Sequence, residues 1–190
     1  MSTDCVILAA GVSSRCGQNN KLTLKLNGKT IIERVCAAFY PSCKNIFVVT
    51  GFYEKDIREA LKLYDKIRFV HNPDFEKGMF TSIKKGVAEV ESSKFLITPG
   101  DCPLLTPQIV NKLNHYNSKT VIPTYEGVRG HPVLVNKSLV PGILSSRENS
   151  MRETLSKFPH EFKKVNNAGI ITDVDTIEDF EKVKLMLSRG

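Results

Sequence analysis

The 190-residue chain contains no tryptophan, and only 8% of its residues are aromatic. Although its formal charge is +7, it has no polybasic run. Proteins that follow a long nucleic-acid strand combine an extended basic surface with aromatic side chains for base stacking. We therefore expect no nucleic-acid partner, and the positive charge instead favours a small anionic ligand.

Long apolar segments are also missing, since no run approaches the roughly 20 residues that a membrane-spanning helix needs. The apolar run at residues 5–10 is too short for a secretory signal and follows too little positive charge. We predict no membrane contact and a cytoplasmic location.

Paired cysteines are absent as well. The five cysteines form no CxxC pair, and no histidine cluster has metal-ligand spacing. This pattern predicts buried or free thiols in a reducing compartment and no structural zinc or iron–sulfur site.

What the sequence does contain is an alternation of short apolar runs and stretches with helical periodicity. Nearly continuous apolar runs are typical of strands that are buried on both faces, and the alternation predicts a mostly parallel sheet with helices on both faces. The predicted strands are 5–10, 45–50, 66–71, 94–98 and 120–123. The predicted helices are 30–39, 55–63, 81–90, 107–116 and 177–188.

The rhythm changes after the fifth predicted strand. Residues 125–136 combine Gly127, Gly130 and Pro132 with a Val-Leu-Val run, which predicts a small β-hairpin or an excursion at the sheet edge. No internal repeat or linker interrupts the chain. We predict one α/β domain over residues 1–190.

The first strand runs into CVILAAGVSSRCGQNNKL, whose small residues allow backbone amides to approach a phosphate closely. Ligands of such sheets bind beyond the carboxyl ends of the strands, where this loop would lie. Arg15 would supply a forked donor and Lys21 a point charge. The Walker pattern does not fit, because Gly11 and Gly17 are one residue too far apart. From these residues alone, a surface loop without function remains an alternative.

The segment LAAGVSSRCGQNNKL resembles the L-A-A-G-x-S-x-R-x-G…K signature of the MobA-like nucleotidyltransferases. LAAG in place of LAGG points to the branch that includes the molybdenum cofactor cytidylyltransferases. The resemblance implies a Rossmann-like nucleotidyltransferase fold and catalytic roles for Arg15 and Lys21. The nucleotide-binding residues that it implies here are Leu8, Ala9, Ala10 and Gly11.

Asp101 follows the fourth predicted strand, at the same expected rim of the sheet. Aspartate is also a common turn residue, so its position alone leaves a structural role equally open. TPGDCPLL resembles the family segment GDxPxL, whose aspartate binds Mg²⁺. The resemblance implies that Asp101 is a metal ligand and a catalytic residue.

Residues 172–180 read TDVDTIEDF, and a plain helix start explains most of them, with Asp175 or Thr176 as the cap. The segment also resembles the family's D-x-D-T-P-E-D, with Ile177 in place of proline. This implies Asp175 as the second metal ligand and Asp173 as a supporting candidate. Mg²⁺ takes one or two carboxylates together with phosphate oxygens and water, so this supply would suffice.

Two further segments resemble parts of the family that lie near the base and the acceptor. GMFTSI resembles G-M-x-x-S-L and implies nucleotide contacts for Gly78 and Ser82. The default alternative is that Thr81 or Ser82 only caps the helix. VRGHPV resembles the G-H-P-V segment of the cytidylyl branch. It implies an acceptor pocket formed by Gly130, His131 and Pro132, and a purely structural histidine before proline is the alternative.

Relatives carry G-D-x-G-x-R where this chain has Asn149-Ser150-Met151-Arg152. Only the arginine is retained, so a role for Arg152 in anion binding is left open at this point.

The resemblance implies transfer of CMP from CTP to the phosphate of a molybdopterin-type cofactor, with Mg²⁺ as cofactor and a molybdenum hydroxylase as partner enzyme. A phosphate monoester has a second pKa of about 6, so the nucleophile is already ionised and no general base is required. One alternative is transfer to a sugar or alditol phosphate. Another is a non-catalytic pterin-binding accessory protein for molybdenum hydroxylases.

Overall fold

A computed structural model describes residues 3–12 and 20–188 of the chain. The described strands are β1 (Thr3–Ala9), β2 (Lys25–Leu26), β3 (Lys29–Thr30), β4 (Ile46–Thr50), β5 (Ile67–His71), β6 (Lys94–Pro99), β7 (Thr120–Tyr125), β8 (Val128–Arg129), β9 (Val133–Asn136) and β10 (Glu161–Lys164). The described α-helices are α1 (Ile31–Phe39), α2 (Glu54–Ala60), α3 (Met79–Ala88), α4 (Pro107–Asn114), α5 (Val140–Ser145), α6 (Met151–Ser156) and α7 (Ile177–Ser188).

The main sheet has the order β10-β7-β9-β6-β1-β4-β5, with β8 added beside β7. β1 is parallel to both β4 and β6, β4 is parallel to β5, and β10 is parallel to β7. β9 is antiparallel to both of its neighbours, β6 and β7. The mostly parallel sheet is confirmed, and each of the five predicted strands is present with shifted ends.

The glycines after the fifth predicted strand favoured a hairpin or an excursion at the sheet edge, and the structure agrees with this prediction only in part. The hairpin is confirmed, because β8 pairs antiparallel with β7. The edge location is wrong for the residues that follow, since β9 enters the sheet between β6 and β7. Val133, Leu134 and Val135 are all buried there, as an apolar run without alternation requires.

Side chains of β1 alternate between two cores, one on each face of the sheet. Cys5 and Ile7 pack in a core with apolar residues of α1, α2, α4 and α7. Val6 packs in a second core with residues of α3, α5 and α6. The predicted layers of helices on both faces are therefore confirmed.

The central strands bring two loops to one rim of the sheet. Leu8 of β1 is in register with Pro99 of β6, and the Gly100 amide donates to the Leu8 carbonyl at 2.9 Å. Since the two strands are parallel, Gly11 and Asp101 emerge at the same end.

Cys5, Cys36, Cys43 and Cys102 are free and buried, as predicted, and Cys16 lies outside the described residues. Within ranges 3–12 and 20–188, no helix has the length and apolar character needed to cross a bilayer.

Candidate functional site

Lys21 lies at the rim because a short turn fixes its backbone. The Asn20 side chain accepts a hydrogen bond from the Leu22 amide at 3.1 Å, and this cap starts a 3₁₀ turn over Lys21–Thr23. Leu22 is buried in the core and anchors the turn. The neighbouring Lys21 side chain is directed toward the carboxylates of Asp101 and Asp175.

Lys21 joins two aspartates that are far apart in the sequence. Its ammonium donates to Asp101 Oδ2 at 2.7 Å and to Asp175 Oδ1 at 2.9 Å. Burial by itself would lower the pKa of Lys21, but the two carboxylates outweigh burial and raise it, so the ammonium keeps its proton. The predicted convergence of Lys21, Asp101 and Asp175 is present.

The backbone and the start of α7 position Asp175. The Val174 amide donates to the Asp101 carbonyl at 2.9 Å, which ties the two acidic segments together. Asp179 accepts from the Thr176 amide at 3.0 Å, and the Asp179 amide donates to Thr176 Oγ1 at 3.1 Å. Thr176 is therefore the helix cap, and the Asp175 carboxylate is directed to Lys21 instead.

Asp173 is the third carboxylate of this group. Although Asp173 as a whole is exposed, partial burial of its carboxyl group and the nearby charge of Asp101 raise its pKa. Asp173 is near enough to Asp101 and Asp175 for their charges to repel its own. A divalent cation bound at this place would neutralise that concentration of negative charge. The described residues contain no cluster of three or more His, Cys, Asp or Glu side chains that could hold a metal by themselves. Phosphate oxygens and water would have to complete the shell, which is how Mg²⁺ is usually bound.

A small cleft borders the lysine on the side of β1. Its lining includes Leu8, Ala9, Gly11 and Lys21. A Cβ added at Gly11 would meet no atom of the described structure within 4 Å, so the backbone is open to a ligand at this point. Ala10, also predicted to bind nucleotide, is buried, and its carbonyl accepts from the Phe52 amide at 3.3 Å.

A larger cavity of about 700 Å³ lies on the other side of the carboxylates. Its floor is apolar and includes Ile97, Ile122 and Leu155. The two spaces meet at a shared wall made by the residues Leu8, Met79, Pro99, Asp101 and Asp175. A volume of this size is typical of sites for small organic ligands.

Gly130 and His131 line this larger cavity, and a side chain at residue 130 would not fit. A Cβ at Gly130 would lie 2.4 Å from the Ile170 carbonyl oxygen, which itself accepts from the His131 amide at 2.7 Å. Burial lowers the pKa of His131 and keeps its ring neutral. Its Nδ1 atom is buried without a hydrogen-bond partner among the described residues. Pro132 is buried behind the histidine and does not line the cavity.

The segment before α3 is only partly brought to the site. Gly78 has φ 106° and ends a short turn, after which Met79 reaches both cavities. Ser82 is buried, and its hydroxyl accepts from the side-chain Nδ2 of Asn72 at 2.9 Å. It lines neither cavity, and it is not a cap, because α3 begins at Met79.

Several residues of the larger cavity carried no sequence prediction. Arg129 precedes Gly130, and its guanidinium lies 4.8 Å from the centre of the Phe162 ring. Arg152, which the sequence left undecided, also lines the cavity. Arg129 stands directly before GHPV and could have been noticed. Nothing in the sequence indicates His160, which precedes β10 and also lines the larger cavity. Arg15 lies outside the described residues.

The chain is similar to known proteins in both sequence and fold. Residues 5–162 match the family described as "MobA-like NTP transferase domain". A molybdenum cofactor cytidylyltransferase from Escherichia coli is 36% identical over 183 residues, which cover 95% of each chain.

Two solved structures share the fold. One is a nucleotidyl transferase from Methanothermobacter, with a TM-score of 0.87, 21% identity and coverage of 99% of this chain and 98% of that one. The other is a protein from Mycobacterium tuberculosis in complex with manganese, with a TM-score of 0.78, 17% identity and coverage of 97% and 99%. At these identities, the likeness establishes the fold alone.

Proposed function

The chain belongs to the MobA-like NTP transferase family and is a nucleotidyltransferase, and we propose that it transfers CMP from CTP to the phosphate of a molybdopterin-type cofactor. Pyrophosphate is the second product. The cytidylyl specificity and the acceptor rest on the relative that is 36% identical over nearly the whole chain.

The observation that carries the proposal is the contact of Lys21 with both Asp101 and Asp175, at the wall where the two cavities meet. A nucleotide in the cleft beside Leu8–Gly11 and an acceptor in the larger cavity would approach one another at this wall. Holding two reactants in line accounts for a large part of the acceleration of such a reaction.

The protein groups would act through charge and position. Lys21 would balance negative charge that accumulates on the phosphates in the transition state, and Arg15 is proposed to act with it. Asp101 and Asp175 would hold a divalent cation, which supplies charge neutralisation and a template for the phosphates when bound. We propose Mg²⁺ for this role, and the manganese complex of a structural neighbour supports a divalent ion.

The larger cavity suits a flat, partly apolar acceptor with anionic groups. The side chains of Ile97, Ile122 and Leu155 would contact the ring system of the acceptor. The guanidinium groups of Arg129 and Arg152 would face its acidic substituents. We propose that Gly130 and neutral His131 form the wall beside this acceptor. A molybdenum hydroxylase would be the enzyme that receives the product.

The test is pyrophosphate release from CTP and Mg²⁺, with and without a molybdopterin acceptor. We expect release that requires the acceptor. Asp101→Ala and Lys21→Ala should each reduce turnover about a hundredfold or more, as expected when one charge-stabilising contact is removed. Lys25→Ala, at an exposed lysine of the same segment, is the matched control and should keep turnover near that of the wild type.

The outcomes separate the candidate functions. Release with a sugar or alditol phosphate, but not with molybdopterin, would assign a different acceptor. Molybdopterin binding without release from any nucleoside triphosphate would indicate an accessory protein. Near-wild-type turnover in Asp101→Ala or Lys21→Ala would contradict the proposed site.

A further inference from the structure

The Lys21 ammonium lies where the carboxylates of Asp101 and Asp175 converge, and it contacts one oxygen of each. The side chains of Lys21 and Asp101 are only 14% and 17% exposed, so solvent screens these charges weakly. We propose that Lys21 is a resident cation: it keeps the carboxylate pair closed to a divalent cation until a nucleoside triphosphate draws the ammonium away. This inference rests on the proposed function, because it assumes that the same carboxylates hold the metal.

The ammonium and a divalent cation exclude one another at this place. The ammonium contacts Asp101 Oδ2 and Asp175 Oδ1, and a divalent cation held by the same two carboxylates would lie close to it. Two positive charges at such short range in a poorly solvated pocket repel strongly. Asp173 adds negative charge nearby, but it has no ion pair with Lys21 in the described structure. Without nucleotide, a divalent cation must therefore compete with an ammonium that is already paired with two carboxylates.

A triphosphate would remove this competition. Lys21 lines the same cleft as Leu8, Ala9 and Gly11, so phosphates bound there would offer its ammonium new acceptors. The lysine stem has four flexible methylene groups, and its head can move while the Asn20–Leu22 turn stays fixed. The carboxylate oxygens that the ammonium contacts would then be exposed to the cation that accompanies the nucleotide.

The consequence is coupling between metal and nucleotide. If the nucleotide favours the state in which Lys21 has moved, it must strengthen metal binding, and the metal must strengthen nucleotide binding by the same factor. Metal without nucleotide would bind weakly, which keeps the site from collecting divalent ions in a non-productive state.

Isothermal titration of Mn²⁺ into the full chain, without nucleotide, tests the proposal directly. Lys21→Met keeps an unbranched side chain and removes the charge, and it should bind Mn²⁺ about tenfold tighter than the wild type, within the usual range of coupling. Lys25→Met makes the same change at an exposed lysine and should bind within about twofold of the wild type. In the wild type, a non-hydrolysable CTP analogue should tighten Mn²⁺ binding about tenfold, and Lys21→Met should lose most of this gain.

A second variant confirms where the ion binds. Adding Asp101→Asn to Lys21→Met should abolish the tighter Mn²⁺ binding, and a gain that persists would overturn the proposal. If circular dichroism shows that Lys21→Met is unfolded, Lys21→Gln replaces it, because its amide is also uncharged.

Mn²⁺ affinity in Lys21→Met or Lys21→Gln that equals or falls below that of the wild type would likewise overturn the resident-cation role. The titration without nucleotide does not depend on which nucleotide or acceptor is used. Failure of CMP transfer and failure of this inference are therefore distinguishable.

Discussion

His131 illustrates how a single residue at the site responds to pH. Its Nδ1 atom is buried, the ring is only partly exposed to the larger cavity, and this desolvation lowers its pKa below the ordinary 6.5. The unfolded chain then takes up a proton near pH 6.5 that the folded chain does not. Stability from this residue is present above that pH and is lost as the pH falls below it.

We therefore expect His131→Gln to reduce the loss of stability on acidification. The free energy of unfolding, measured with urea at pH 7.5 and 5.5, should differ less between these two pH values in the variant than in the wild type. His115→Gln, at an exposed position, serves as the control. A variant with the same difference as the wild type would show that His131 titrates normally.

At the level of residues, the sequence predicted the charged side chains of the candidate site better than the residues that line its two cavities. The parallel topology placed Asp101 at the same rim as Lys21, whereas Asp175 was indicated by its resemblance to a family segment at a helix start. The sequence predicted that Lys21 and the two carboxylates share one site. Their direct hydrogen bonds could not be predicted, because they depend on the fold of residues separated by 80 and 154 positions. Ser82 shows the opposite case, since its motif suggested a ligand contact and the structure buries it against Asn72.

Among the elements, α3 is the one whose packing most directly supports the site, since Met79 at its start reaches both cavities. The helix lies close to the sheet because Gly86 has no side chain. A Cβ at this residue would lie 2.4 Å from Val6 Cγ1 and 2.8 Å from Val49 Cγ2.

Gly86→Ala should therefore destabilise the protein, although alanine is the better helix former by about 1 kcal/mol. Overpacking of a well-filled core costs about 1–3 kcal/mol, so we expect a net loss of the order of 1 kcal/mol in the free energy of unfolding, measured with urea. Lys85→Ala, at the exposed neighbouring residue, should change stability by less than about 0.5 kcal/mol. A more stable Gly86→Ala variant would mean that α3 can shift outward without cost.

Each element that the sequence did not predict was missed for an identifiable physical reason. β10 is an edge strand with the sequence EFKK, and its charged, largely exposed residues give no apolar run. α5 and α6 have only six residues each, too few for a clear helical period. The interior position of β9 could not be predicted, because a hairpin signal indicates only where the chain turns. It does not indicate which strands the next strand will pair with.

Over the whole molecule, the charge is distributed in a way that fits a polyanionic ligand held through a cation. The chain carries a formal charge of +7, yet Asp101 and Asp175, which contact Lys21 at the wall between the cavities, lie near a third carboxylate, Asp173, in the larger cavity. A triphosphate alone would be repelled by these carboxylates, and a divalent cation alone would be repelled by the Lys21 ammonium. The two together balance both groups.

We expect this balance to appear as a ligand-dependent rise in the melting temperature. CTP with Mg²⁺ at about 100 times the dissociation constant should stabilise the folded chain by about 2.7 kcal/mol, which corresponds to a rise of roughly 5–10 °C for a domain of this size. CTP without Mg²⁺, and Mg²⁺ without CTP, should each give a much smaller rise. GTP and ATP with Mg²⁺ at the same concentrations are the controls for the base. A rise as large with either of them would contradict cytidylyl specificity, and a full rise without Mg²⁺ would contradict the role assigned to the carboxylates.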